Sequence, residues 1–125
     1  MKKILAFALA IMMIALTLTS CGGIDATKDY ENVLSKGKIV VGMECAYAPY
    51  NWTTTTPSST TVPIVNNPGS YADGYDVQIA KIIADYLGVA LEIKAIEWDG
   101  LIPALEAGEI DMIIAGMSQI GRAHV

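Results

Sequence analysis

Three aromatic side chains fall within six residues in Glu44-Cys45-Ala46-Tyr47-Ala48-Pro49-Tyr50-Asn51-Trp52, and Pro49 stiffens the chain between them. Clustered rings can stack on a flat or cationic group, which is binding chemistry. A further aromatic, Trp98, stands beside Asp99, and Gly116-Met117-Ser118 combines a residue that permits close backbone approach with a hydroxyl that can donate to a carboxylate. Evidence for catalysis is thin by comparison. Glu44, Asp76, Glu97, Asp99 and Asp111 supply carboxylates, but no motif pairs any of them with a His or Lys, and Asp76 and Asp99 read more simply as helix caps. There is no G-x-S-x-G nucleophile motif and no phosphate loop. The single His124 has no Cys or His neighbours, so no metal site and no cofactor is expected.

These residues need elements to hold them. Residues 74–88, GYDVQIAKIIADYLG, carry apolar side chains at three- and four-residue spacing, with Asp76 placed to cap the helix and Gly88 to stop it. Val89, Leu91, Ile93 and Ala95 alternate as in a strand. Residues 101–107 read as a short helix that Asp99 could cap, with Pro103 in its first turn. The run 112–115 reads as a strand buried on both faces, and 38–43, KIVVGM, as a β-branched parallel strand. A short helix is expected over 29–35. The aromatic stretch then follows the first strand directly, where α/β sheets bind ligands beyond the carboxyl ends of their strands.

The helix GYDVQIAKIIADYLG, the turn WDGLIPAL and the strand IDMIIAGMS occur in that order, and over residues 36–118 the chain resembles the extracellular solute-binding proteins that deliver polar amino acids to ATP-driven importers. The resemblance implies an α/β, periplasmic-binding-protein-like type II fold, here an incomplete first lobe with a mostly parallel sheet. It also implies a free amino acid as ligand and an ABC transporter permease as partner. At the ligand it implies Tyr47 and Trp98 as facing aromatics, Glu44 as an acidic residue near the ligand or cleft rim, and Gly116 and Ser118 as contacts to the α-amino and α-carboxylate groups. Tyr50 and Trp52 are expected to pack beneath the loop. Secreted dehydratases and extracellular sensing modules share this kind of fold and are the alternatives to a transport role.

Lys2 and Lys3 precede an apolar run over 4–18 that is too short for a comfortable ~20-residue span, and Leu18-Thr19-Ser20-Cys21 follows. This looks like the lipobox of bacterial lipoproteins. It would make 1–20 a signal peptide, Cys21 the lipid attachment site and 21–35 a tether to the membrane. Without Lys2 and Lys3 the basic count falls from 8 to 6 against 13 acidic residues, a net of −7. An acidic chain without a basic stripe is not a nucleic-acid binder. Cys45 is the one other cysteine, so no disulfide forms within the mature part.

Residues 53–71 are rich in Thr, Ser, Pro and Asn and read as a loop, with a two-strand excursion near 62–65 as an option and the rim as its expected place. After Ser118 the resembling family continues with a Ser-x-Thr-x-x-Arg pattern whose arginine clamps the ligand carboxylate. Here Arg122 comes four residues after Ser118 and no threonine stands at the expected place, so 119–125 is expected to be a tail outside the family, from an end-of-read or frame change. A second lobe and the segment returning to the first are the parts this reading leaves missing.

Overall fold

The computed structural model describes residues 26–117. Cys21 with its leader, Ser118 and the tail 119–125 lie outside the described residues.

Helix α1 (Ala26–Lys36) places Asp29 in its first turn and Lys36 in its last, as the helix dipole favours, and is longer than the 29–35 expected. Strand β1 (Lys38–Met43) is buried from Ile39 onward and lies at the centre of a three-stranded sheet. It pairs in parallel with β6 (Ala90–Ala95), Val41 opposite Ile93, and with β7 (Met112–Ile113), Val41 opposite Met112. Both faces of β1 are covered. Ile39, Val41 and Met43 join Val77, Ala80 and Ala84 of helix α2 (Tyr75–Leu87), while Val40 packs with Ile110 and with Ala104 of helix α3 (Leu101–Glu106). That two-sided burial is the reason for β1's unbroken apolar run. Gly88 closes α2 in the left-handed conformation, as expected.

The region after β1 departs from the expected loop. It forms a second, antiparallel sheet of β2 (Ala46–Tyr47), β3 (Asn51–Thr54), β4 (Val62–Pro63) and β5 (Tyr71–Asp73), in the order β2-β3-β5-β4. The mostly parallel sheet therefore describes only one of two sheets. Just after β4, Ile64 is fully buried and bridges in parallel to Ile93, extending the outer edge of β6. Asn66 seals the junction, accepting from the Ala95 N–H at 3.0 Å and donating to the Ala95 carbonyl at 2.8 Å. Low periodicity hid this segment because each strand is only two to four residues long.

Three smaller expectations also change. Asp76 does not cap α2: Gly74 is the N-cap, and the Asp76 carboxylate turns inward to Asn51. Asp99 caps nothing, because it lies inside a 3₁₀ turn (Trp98–Gly100) and α3 starts from Gly100 without a side-chain cap. The run 112–115 is only half-buried up to Ala115, because β7 has β1 on one side and no strand on the other among the described residues.

Candidate functional site

The turn that leaves β1 is held from below by polar side chains. Cys45 is buried, with a positive φ of 57°; its N–H donates to Asn51 Oδ1 at 2.7 Å and its carbonyl accepts from Thr53 Oγ1 at 2.9 Å. Asn51 Nδ2 donates in turn to Asp76 Oδ2 at 2.8 Å; Asn51 is 0% exposed and Asp76 4%. The start of α2 closes on the same turn through backbone bonds, Tyr75 N–H to the Pro49 carbonyl at 3.2 Å and Asp76 N–H to the Tyr50 carbonyl at 2.8 Å. Only a residue without Cβ fits at the joint, since a methyl on Gly74, whose φ is 124°, would collide with the Tyr50 carbonyl and the Trp52 ring.

On this base Tyr47 and Tyr50 stack, their ring centroids 5.1 Å apart and their planes 21° from parallel. The Ala48–Pro49 peptide between them is cis, and the Tyr50 N–H donates back to the Tyr47 carbonyl at 2.9 Å. Gly116, with φ 62°, lies against the first ring: a Cβ there would be 3.0 Å from both Tyr47 Cδ1 and Cε1. Tyr47, Tyr50, Tyr75, Asp76 and the chain from Ile113 to Met117 line an open cavity of about 520 Å³. Its walls offer aromatic faces and main-chain groups. Burial pushes the nearby Cys45 thiol up to about 11, so at neutral pH it is protonated and inert.

Of the residues singled out in the sequence, Tyr47 and Gly116 meet at this cavity. Glu44 is half-buried at the end of β1, outside the lining. Trp98 begins the 3₁₀ turn, is 48% exposed, and makes no ring contact among the described residues; the ring stacked on Tyr47 is Tyr50. Trp52 packs over Gly74 beneath the turn, as expected, but Tyr50 is half-exposed and lines the cavity instead of lying under it. Asn51, Tyr75 and Asp76 were not anticipated here. A usable signal existed for Asn51: between Tyr50 and Trp52 in a strand, a period of two turns it to the opposite, inward face.

The comparisons fit this arrangement. Residues 39–121 match the model of the bacterial extracellular solute-binding proteins, family 3, about two thirds of the chain. The chain belongs to that family. The match runs three residues into the segment expected to be an unrelated tail. Among curated relatives of this solute-binding family, the octopine-binding periplasmic protein of Rhizobium meliloti is 34% identical over 80 residues, 64% of this chain and 23% of that protein. The arginine-binding extracellular protein ArtP of Bacillus subtilis is 26% identical over 118 residues, 94% of this chain and 39% of the relative. The chain thus spans well under half the length of either. Among solved structures, the arginine-bound form of domain 1 from TmArgBP superposes with a TM-score of 0.57 at 32% identity, covering 72% of this chain and 61% of that one. The solute-binding fold is therefore of the type II periplasmic-binding-protein kind over the part covered, with a parallel and an antiparallel sheet. The family is one of non-catalytic binding proteins that work outside the cytoplasm.

Proposed function

We propose that this chain carries the ligand-gripping part of a lipoprotein that captures a free amino acid outside the cell and delivers it to an ABC transporter permease. The observation that carries the reading is the stacked Tyr47–Tyr50 pair in the lining of the cavity, together with the main chain of 113–117. An aromatic face and free backbone groups suit the two ends of an amino acid, a side chain on the rings and a zwitterion on the main chain. In this reading Gly116 and Ser118 take the α-amino and α-carboxylate groups, and the Tyr47 and Tyr50 rings take the side chain. Relatives named for binding arginine and octopine support a polar or cationic ligand, and an arginine-bound isolated domain 1 supports binding by a first lobe. Cys21 anchors the protein to the membrane through its lipid once the leader over 1–20 is removed, keeping captured ligand near the permease.

Calorimetric titration of arginine, ornithine, glutamine and cystine into the purified chain, with circular dichroism on the same sample, tests the binding step. Saturable heat with one of them is expected, and Tyr47→Ala should weaken it by ~1–3 kcal/mol through lost stacking and burial. A folded chain that gives no heat with any amino acid would remove the proposal. Globomycin-sensitive processing and labelling by radioactive palmitate, both lost in Cys21→Ser, are expected for the anchor.

A further inference from the structure

The Asn51–Asp76 pair is an expensive thing to bury. A carboxylate and an amide withdrawn from water cost free energy that their mutual bond only partly offsets. The gain lies in geometry. Asn51 ties three elements together: it accepts from the Cys45 N–H just after β1, belongs to β3, and donates to Asp76 in the first turn of α2. With the Tyr75 and Asp76 amides bonded to the Pro49 and Tyr50 carbonyls, four hydrogen bonds clamp the turn 45–51 at both ends. The tyrosines lie between those clamps. Both rings are half-exposed, so neighbouring side chains enclose them only in part, and the backbone beneath them sets where they point.

We propose that the Asn51–Asp76 bridge is a positioning device for the Tyr47–Tyr50 platform, with Asp76 a positioning residue for ligand capture. The effect on affinity rests on the binding reading above; the effect on the turn does not. Asp76→Asn preserves an oxygen that accepts from Asn51 Nδ2, whereas Asp76→Ala removes it, so the two variants separate the bond from the bulk of the fold. Cys45 is a natural reporter, because its N–H is the far end of the bridge and its side chain is buried.

In a Cys21→Ser background, which leaves Cys45 as the one thiol of two in the chain, the rate of maleimide labelling at pH 8 reads opening of the turn without any ligand. Asp76→Ala is expected to label about tenfold faster, Asp76→Asn within about twofold of the parent, with far-UV dichroism unchanged in both. A parental rate in Asp76→Ala overturns the proposal. So does an equal acceleration in Ile110→Val, a variant on the opposite face of the sheet, at the same loss of melting temperature. The second reading is a cycle with arginine as probe: Asp76→Ala should weaken binding about tenfold, but add less than about twofold once Tyr47→Ala is present. Full multiplication of the two factors would mean that Asp76 acts independently of the platform, against the proposal. If the parent chain binds no arginine, the reading of the cavity fails, and the labelling rates still decide the bridge.

Discussion

At Gly116 a single methyl group would meet the first ring of the platform directly. The glycine's φ of 62° and the 3.0 Å approach to two Tyr47 ring carbons mean that Gly116→Ala strains the backbone and pushes the ring outward together. The expected outcome is a stability loss of about 1 kcal/mol with a larger loss of ligand affinity, measured by thermal melting and titration side by side. Equal losses would show that Tyr47 does not depend on this contact. Cys45 gives a pH signature. Burial raises its thiol from an ordinary 9.0 to about 11, so the folded chain holds a proton that the unfolded chain releases. The stabilisation from this site is full below about pH 9 and is lost as pH rises from 9 to 11, by at most ~3 kcal/mol. Denaturant melts of the parent and Cys45→Ala across pH 8–11 should converge as pH rises, and parallel curves would contradict the sign.

At the scale of elements, the antiparallel sheet over 46–73 carries part of the core instead of hanging from it. Ile64 is fully buried against Ile93, and Asn66 ties the same edge at Ala95. Ile64→Ala is therefore expected to cost about 2–4 kcal/mol, in the range of other core truncations, as read by denaturant unfolding. A loss below about 0.5 kcal/mol, the surface range, would return this segment to the status of a decorated rim. The long elements were legible beforehand: α2 from its spacing of Val77, Ala80 and Ala84, β1 from its β-branched run, and α3 from Pro103. The short strands were not, since two to four residues carry too little period to separate a strand from a turn. The cap readings of Asp76 and Asp99 failed for a related reason. A carboxylate near a helix start looks the same in sequence whether it bonds the helix amides or, like Asp76, a buried amide 25 residues away.

At the scale of the whole molecule, the parallel sheet has, among the described residues, one covered edge and one open edge. β6 is continued by Ile64 and Val65, whose N–H donates to the Ile93 carbonyl at 2.9 Å, whereas β7 has no partner on its far side among the described residues. Beside it a groove of about 1220 Å³ runs between α1 and α3, with Leu105 and Met112 in its walls. An open strand edge next to apolar surface invites pairing between copies. Light scattering on the purified chain should show mass rising with concentration, while Met112→Lys, which places a charge on the edge, should hold it monomeric. A constant monomer mass in the parent would mean that the edge is protected.

The family, the α/β class, the order of the main elements and the aromatic stretch that lines the cavity were legible in the sequence alone. These depend on local spacing and on motifs in sequence order. Folding in three dimensions settles which ring stacks on Tyr47, that Trp98 lies outside the cavity lining, and that Asn51 joins Asp76 beneath the turn. Those outcomes rest on contacts between β1, β3, β7 and the start of α2. Their side chains meet because chain segments far apart in sequence cross at one end of the sheet, and no local pattern encodes that crossing.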